Sequence, residues 1–327
     1  MKTKKILQLI MYSSLVLLAP AKIFAQNLPA QMSFHVIDDS SNPISGLGFG
    51  LGSWVSPAWN VMATGTNSFG TTDSKGNVTL SVLSENGIMG YGSKYGTPGF
   101  YGTHCEYQFK TTNGGKWQPW NPTVDVVVKP ILNPIAMYAQ AVRLTLPAKN
   151  TPVGFDLEAG DLVAPYGKGI TSDFIFTLNE KVPFVSGNQP YDITNTLSFS
   201  NKGDGIQSVI GSPLNQGSTL RLPRFAPEDG YQPTLPQELS LVGNKRLNGA
   251  DNETQNYFFR VRTVLDESGK VKSTLYGKIS GPLICGPQGY LQFTYYLNPT
   301  ANDRNMEFDP KKNLFPNLSD DQQVNAP

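Results

Sequence analysis

An alternation of apolar and polar residues around a glycine-rich turn, over residues 154–178, sets the strongest limit on how this chain can fold. Phe155 and Leu157 precede the turn, and the alternation resumes at Phe174 and Phe176. Side chains two positions apart lie on the same face of a β-strand. The segment therefore predicts two strands joined by a turn, with the aromatic face buried and the rest of the chain packed around them.

Composition extends this prediction to the whole chain. The 327 residues include 32 glycines and 25 prolines but only 16% charged residues, which favours short strands and tight turns over long helices. A chain of this length exceeds what one hydrophobic core usually serves, so two domains are expected. We predict an all-β chain with a smaller β-sandwich at 26–133, a larger β-sandwich or jelly-roll-like domain at 134–316, and a flexible tail at 317–327.

Residues 1–25 have the pattern of a secretory signal peptide. Lys2, Lys4 and Lys5 precede an apolar run over residues 6–20, and the small Ala25 stands before the expected cut. The run is short for a membrane span, and no later stretch approaches the ~20 apolar residues that a span needs. The sequence predicts bacterial export to the periplasm or the cell exterior, without a membrane span in the mature chain.

The charge balance narrows the partners of the exported chain. The whole sequence has 26 basic and 25 acidic residues, and four lysines belong to residues 1–25, so the remainder carries 26 − 4 = 22 against 25, a net charge of −3. A nucleic-acid binder would show a basic patch or stripe, and an electrostatic membrane binder would need basic clusters. The charge balance therefore argues against nucleic acid as a partner, and it leaves a polysaccharide or an envelope protein as the candidate partners.

Two turn motifs carry a resemblance to a known family. The segments DDSSNPISG, at 38–46, and TDSKGNVTLSV, at 72–82, resemble the turns of the carboxypeptidase-regulatory-like (transthyretin-like) β-sandwich over residues 30–130. Ser41 and Asn42 replace the glycine that this family usually has before the proline. The resemblance implies a non-catalytic module.

The remaining chain, from residue 124 to 315, resembles uncharacterised secreted proteins of the planctomycete and verrucomicrobial kind. The segments VGFDLEAGDLVAPYGKG, NYFFRVRTVLD and NDRNMEFDPKKNLF carry this resemblance. It implies a shared architecture and no particular activity.

Aromatic residues among glycines and prolines are the most suggestive binding feature. They lie in a proline-containing loop after residue 53 and in a segment at 87–120 that we interpret as one long glycine-rich loop. Exposed aromatic patches usually mark interaction sites, whereas most tryptophans of β-sandwiches belong to the core. The candidate ligand-binding residues are Trp54, Trp59, Tyr91, Tyr95, Trp117 and Trp120.

Four carboxylates concentrate in the organising segment: Asp156, Glu158, Asp161 and Asp173. Two carboxylates that flank a sugar ring are the chemistry of glycoside hydrolysis. Asp156 and Glu158 are predicted to share one face of a strand. The alternative is a solvated strand face with turn-forming acids.

A second group of oxygen-bearing side chains alternates near the C-terminus, at Asp303, Asn305, Glu307 and Asp309. Oxygen ligands at every second position of a loop can hold Ca²⁺, although the glycine of an EF-hand is missing. Turn formation explains the same residues. Calcium is the only cofactor that the sequence suggests, because His35 and His104 are the only histidines and give no multi-histidine metal site or serine triad.

Cys105 and Cys285 are the only cysteines. In an oxidising compartment, they could form one disulfide between the two halves of the chain, or remain two separate buried thiols.

The leading hypothesis is an exported, non-enzymatic binding or surface-structural protein that contacts polysaccharide or an envelope protein. The alternative is an exported glycan hydrolase that uses the carboxylates of the second domain. A hydrolase predicts paired carboxylates at the floor of a cleft, whereas a binding protein predicts an aromatic patch on a flat face.

Overall fold

The all-β prediction is confirmed. The computed structural model describes residues 27–55, 64–93, 97–186, 189–211, 216–243, 245–248 and 254–327, and within these ranges it contains strands and turns but no helix. No described segment is therefore a helix that could cross a membrane. The proposed signal peptide lies outside the described residues.

The strands, numbered in chain order, are β1 (Leu28–Ile37), β2 (Gly48–Val55), β3 (Thr64–Thr71), β4 (Asn77–Ser84), β5 (Ile88–Ser93), β6 (Thr103–Gln108), β7 (Thr111–Asn113), β8 (Lys116–Gln118), β9 (Thr123–Val127), β10 (Ile135–Thr145), β11 (Val153–Asp156), β12 (Asp161–Leu162), β13 (Phe174–Val182), β14 (Tyr191–Ser198), β15 (Gly205–Ile210), β16 (Gly217–Ser218), β17 (Thr234–Val242), β18 (Lys245–Asn248), β19 (Gln255–Leu265), β20 (Val271–Ile279), β21 (Ile284–Cys285), β22 (Tyr290–Leu297) and β23 (Phe308–Asn313).

The N-terminal part is a β-sandwich. A three-stranded sheet in the order β4-β1-β9 shares one hydrophobic core with a five-stranded sheet in the order β16-β6-β5-β2-β3. Phe34 of the first sheet lies with its ring centre 4.9 Å from the rings of both Phe49 and Tyr91 of the second. Strand β16 comes from much later in the chain and pairs with β6 at the edge of the larger sheet.

The C-terminal part is built from two larger sheets. Their orders are β12-β11-β13-β14-β17-β18 and β15-β19-β20-β22-β10-β23, with β21 paired to β22. Aromatic rings fill the space between them, and Phe293 lies 5.6 Å from Phe155 and 6.0 Å from Phe174 between ring centres. The hairpin β19–β20 has the five-residue turn that the sequence predicts, with Gly269 at a φ of 80°.

The sheet that contains β19 is buried on both faces. Its second face packs under a separate core cluster that includes Phe258, Tyr296 and Val324. The backbone carbonyl of Gln322 accepts a hydrogen bond from Ala141 at 3.0 Å, and that of Ala326 accepts one from the Tyr296 hydroxyl at 3.2 Å. The segment after residue 316, for which a flexible tail is predicted from polarity, is therefore packed against this sheet.

A buried ion pair joins the two parts of the chain. Glu307 is fully buried, and its Oε1 lies 2.6 Å from Nη1 of Arg224. The Tyr101 hydroxyl and the backbone amides of Leu132 and Asn133 each donate a hydrogen bond of 2.9 Å to the same carboxylate. Burial favours a raised pKa for Glu307, but the bonds from Arg224 and the two amides outweigh it and hold the pKa below its ordinary value. The predicted domain boundary near residue 133, which stays a prediction, falls at this network.

Lys278 is the most deeply buried cation of the same region. Its Nζ donates a 2.7 Å hydrogen bond to the carbonyl of Met306 and lies 4.5 Å from the ring centre of Tyr296. Burial, with a smaller contribution from the positive charge of Lys129, lowers the pKa of Lys278 to about 7. The folded protein therefore releases this proton at a pH where the unfolded chain still holds it.

We predict that this difference makes stability rise with pH above neutrality. Between a folded pKa of about 7 and the ordinary 10.5, the unfolded state binds more protons at Lys278, so the free energy of unfolding increases by up to about 1.4 kcal/mol per pH unit. Lys278→Met should flatten this slope in urea unfolding measured from pH 7 to 9. Lys272→Met, an exposed lysine of the same strand, is the control, and an unchanged slope in Lys278→Met would contradict the assignment.

Candidate functional site

A groove with a glycine floor crosses the outer face of the five-stranded sheet. Its volume is about 710 Å³. Strands β2 and β5 contribute the floor at Gly50, Gly52, Gly90 and Gly92. Neighbouring positions of the same strands, such as Phe49 and Met89, point into the core. The side chains that rise around the floor are Trp54, Asn67, Phe69, Ile88, His104 and Glu106.

The strand register brings the four glycines together. Antiparallel pairing of β2 with β5 sets Gly50 opposite Gly92 and Gly52 opposite Gly90. At Gly92, an added Cβ would lie only 1.8 Å from the carbonyl oxygen of Thr103, so the close approach of β5 to β6 requires glycine. The four positions form a flat floor without side chains.

Two aromatic rings lie over glycines of the neighbouring strand. A Cβ added at Gly50 would come within 3.0 Å of two Phe69 ring carbons, and one at Gly65 would lie 4.0 Å from Cζ3 of Trp54. Both rings nevertheless remain largely exposed, Phe69 at 69% and Trp54 at 59%. Each ring thus rests on the backbone of the opposite strand and leaves much of its surface open to solvent.

A polar group lies between the two rings. Asn67 stands opposite Gly52 in the β2–β3 register, and its Oδ1 would lie 2.6 Å from a Cβ added there. Trp54 and Gly50, over which Phe69 lies, are four residues apart on β2, which corresponds to about 13 Å along the strand. The β2–β3 hairpin therefore presents a ring, an amide and a second ring in a line.

The opposite side of the groove is formed by β6. His104 leans over Gly90, since a Cβ there would lie 3.1 Å from its Cε1, and Glu106 pairs with Gly90 in the register. Beyond His104, a second cavity of about 460 Å³ is lined partly by residues 216–219. These residues include β16, so the later part of the chain borders the groove.

The structure separates the predicted aromatic residues into exposed and core positions. Trp54 belongs to the groove, whereas Tyr91 is 7% exposed and packs in the core. Trp117 packs against the same core and donates a 3.1 Å hydrogen bond to the carbonyl of Ser84. Trp120 is 38% exposed, outside the groove, with Nζ of Lys116 4.5 Å from its ring centre. Trp59 and Tyr95 lie outside the described residues.

Sequence reasoning missed Asn67, Phe69, His104, Glu106 and the floor glycines as site residues. The interpretation of residues 87–120 as one long loop is wrong, because they contain β5, β6, β7 and β8. The available signal was glycine at every second position, in GFGLG at 48–52 and GYG at 90–92. A strand with outward glycines keeps its two-residue period but loses the polar face by which strands are usually found.

The carboxylates of the organising segment gather around one arginine. Arg262 lies 3.4 Å from Asp156, 2.7 Å from Glu158 and 2.9 Å from Asp173, measured between nitrogen and oxygen atoms. Its φ of 55° occurs where the β19–β20 register shifts. Asp161 instead accepts hydrogen bonds from the backbone amides of Leu162 and Lys168.

Asp156 and Glu158 do not share a strand face, because β11 ends at Asp156 and Glu158 lies in the following turn. Burial dominates at Asp173 and raises its pKa despite the bonds from Arg262. At Asp156 burial also favours a higher pKa, but four backbone amides, including those of Thr171 and Ile170, outweigh it and lower the pKa. These acids hold the turn over residues 157–171, and none of the four lines the groove.

The four residues considered for calcium are engaged by protein groups. Glu307 is buried against Arg224, and Asn305 donates a 2.8 Å hydrogen bond to the carbonyl of Asn133. Asp303 accepts the backbone amide of Asn305, and Asp309 lies 3.2 Å from Lys312. Among the described residues, no group of three or more histidine, cysteine or acidic side chains is placed to hold a metal.

The disulfide considered between Cys105 and Cys285 is not formed, and both are free thiols. The two residues belong to different cores, since Cys105 packs against the N-terminal sandwich and Cys285 lies in the C-terminal one. The Cys285 Sγ donates a 2.8 Å hydrogen bond to Oε1 of Gln237. Burial raises the pKa of Cys285 to about 12 and also raises that of Cys105.

We predict two maleimide adducts per chain when the purified protein is unfolded without reductant. In the folded protein, Cys105 should react first, because it is half-buried while Cys285 is enclosed. Peptide mapping by mass spectrometry assigns the adducts, with a sample reduced before labelling as the control. A chain that takes up label only after reduction would show a disulfide and contradict the structure.

Comparisons with known proteins give only remote likenesses. No family model matches the chain, and no curated protein matches it either. A solved structure of a DUF3823 family protein from Parabacteroides merdae is 10% identical, with 87% of this chain and 100% of that chain covered and a TM-score of 0.20. The shaft pilin SpaA from Lactobacillus rhamnosus GG is 10% identical over 73% of this chain and 89% of that one, with a TM-score of 0.22.

The major pilin subunit BcpA of Bacillus cereus is 11% identical over 85% of this chain and 99% of its own, with a TM-score of 0.22. At such TM-scores, no argument about this chain rests on these structures.

Proposed function

We propose that this chain is an exported, non-enzymatic binding protein that holds a polysaccharide chain in the glycine-floored groove. The observation that carries the proposal is the pair of rings, Trp54 and Phe69, which rest on glycines of opposite strands and remain 59% and 69% exposed. Rings with exposed faces on a flat surface are suited to stacking on the apolar faces of sugar rings.

The spacing of the rings favours an oligosaccharide over a single sugar. About 13 Å along β2 separates Trp54 from Gly50, over which the Phe69 ring lies, so a ligand that touches both rings must extend over more than one sugar unit. Asn67 lies between them and offers a carbonyl acceptor and an amide donor to sugar hydroxyls. The hairpin thus provides two stacking positions with a hydrogen-bonding position between them.

The arrangement of carboxylates favours binding over the alternative of glycan hydrolysis. Hydrolysis by the usual mechanism needs two carboxylates on either side of the scissile bond. Among the described residues that line the groove, Glu106 is the only carboxylate. Asp156, Glu158 and Asp173 are held by Arg262 instead, which gives them a structural role in the turn.

The predicted export signal and the turn motifs of the N-terminal sandwich support the same function. The signal pattern at residues 1–25 would deliver the chain to the periplasm or the cell exterior, where polysaccharide is abundant. The turn motifs at 38–46 and 72–82 support a transthyretin-like sandwich in a non-catalytic role. In the structure, Asp38 and Asp73 each accept backbone amides of their own turns, as such turn chemistry requires.

The test is binding of cellohexaose, a neutral oligosaccharide with flat sugar faces, measured by isothermal titration calorimetry. We expect Trp54→Ala and Phe69→Ala each to weaken binding roughly five- to tenfold. A stacked ring contributes on the order of 1 kcal/mol, and 1.4 kcal/mol corresponds to a tenfold change.

Trp120→Ala is the matched control, because it removes an exposed tryptophan outside the groove. Circular dichroism and thermal unfolding establish that all three variants are folded. Equal affinities for the wild type and the groove variants, or no binding of cellohexaose and of an array of other glycans, would contradict the proposal and leave an envelope protein or a structural role.

A further inference from the structure

We propose that the groove selects uncharged or amino-sugar chains and excludes acidic ones, and that Glu106 makes this selection. The inference rests on the proposed polysaccharide-binding function. It concerns the chemical class of the chain that the groove accepts, which the aromatic rings alone leave open.

The described side chains that line the groove include a carboxylate but no lysine or arginine. Glu106 and His104 are the exposed ionisable side chains that line it, and no lysine or arginine lines it in the described part of the chain. Proteins that bind polyanions place lysine or arginine against the charged groups, because an unpaired anion loses its hydration without compensation. Among the described residues that line the groove, a uronic-acid polymer would meet the carboxylate of Glu106 and no lysine or arginine.

Glu106 lies in line with the glycine floor on which the ligand is proposed to rest. In the strand register, Glu106 pairs with Gly90, Gly90 with Gly52, and Gly52 with Asn67. These four residues form a row across the sheet, about 14 Å long at three strand spacings. The two central members are glycines, so the row has no side chain of its own between Glu106 and Asn67, and the His104 ring that leans over Gly90 lies beside Glu106.

Glu106 is also available for a ligand. It is exposed, and within the described ranges no ion pair or side-chain hydrogen bond engages it. By contrast, the carboxylates of Asp156, Asp173 and Glu307 are all held by arginines. A free carboxylate accepts hydrogen bonds from sugar hydroxyls and more strongly from an ammonium group. It repels a ligand carboxylate at the same distance.

The row and the two rings act on different properties of one ligand. The rings lie on β2 and β3 and recognise the flat faces of the sugars, whatever substituents these carry. Glu106 lies on β6, at the other side of the floor, and meets the substituents at the edge of the chain. Affinity and charge selection can therefore be separated by mutation.

The experiment measures three hexasaccharides against the full mature chain at pH 7 and low salt, where surface charge interactions are least screened. The probes are cellohexaose, the hexamer of glucosamine and the hexamer of galacturonic acid. We expect the wild type to bind the first two and to bind the galacturonic acid hexamer at least tenfold more weakly than cellohexaose.

Glu106→Lys should reverse this order, with the galacturonic acid hexamer gaining at least tenfold and the glucosamine hexamer losing at least tenfold. Glu106→Gln should remove the preference between charged probes while cellohexaose binding stays within about threefold. Glu267→Lys makes the same change in net charge on an exposed turn away from the groove and should leave the order unchanged.

Two outcomes would overturn the proposal that Glu106 selects against acidic chains. If Glu106→Lys and Glu267→Lys change the order of the three affinities equally, the net charge of the protein determines that order and the position of Glu106 does not. If the wild type binds the galacturonic acid hexamer as well as cellohexaose, there is no selection against acidic chains. In either case, loss of cellohexaose binding in Trp54→Ala and Phe69→Ala would still uphold the binding function, whereas failure of all three probes and of the glycan array to bind overturns both proposals.

Discussion

The buried carboxylate of Glu307 is the interaction on which the arrangement of the chain depends. A carboxylate without water is tolerated only when cations and donors surround it. Arg224, the Tyr101 hydroxyl and two amides at residues 132–133 supply these partners from separate parts of the sequence. Satisfying one buried charge thus fixes the segment after β9, the segment between β16 and β17, and the entry to β23. Strand β16, which ends six residues before Arg224, pairs with β6 beside the groove.

The groove shows how a sheet face becomes a surface for a ligand. Glycine inside a strand costs roughly 0.5–1 kcal/mol relative to alanine, because the unfolded chain loses more freedom and no side chain packs. Here Phe69 and Trp54 cover glycines of the neighbouring strand and offset part of this cost. The same contact orients the rings before any ligand binds, which lowers the entropy cost of binding. A bulkier residue at Gly50 would displace the Phe69 ring that lies within 3.0 Å of its Cβ position.

Strands with complete alternation could be predicted from the sequence, as in β13 and in the β19–β20 hairpin with its five-residue turn. The groove could not, because outward glycines at 50, 52, 90 and 92 erase the polar face and make strands look like a loop. Trp54 is exposed whereas Tyr91 is buried and Trp117 packs against the core, and composition alone could not distinguish these three candidates. The partners of Glu307 and Arg262 lie tens to hundreds of residues away, beyond any local pattern, so their roles needed the structure.

The most direct test of polysaccharide binding in the groove is chemical-shift mapping of ¹⁵N-labelled residues 26–327 during titration with cellohexaose. Glycine amides resonate apart from most others, so the floor of the groove can be followed in isolation. We expect the largest changes at Gly50, Gly52, Gly90 and Gly92 and at the indole N–H of Trp54, with little change at the Trp120 indole. Changes centred on Trp120 or around Arg262, with the floor glycines unmoved, would contradict binding in the groove.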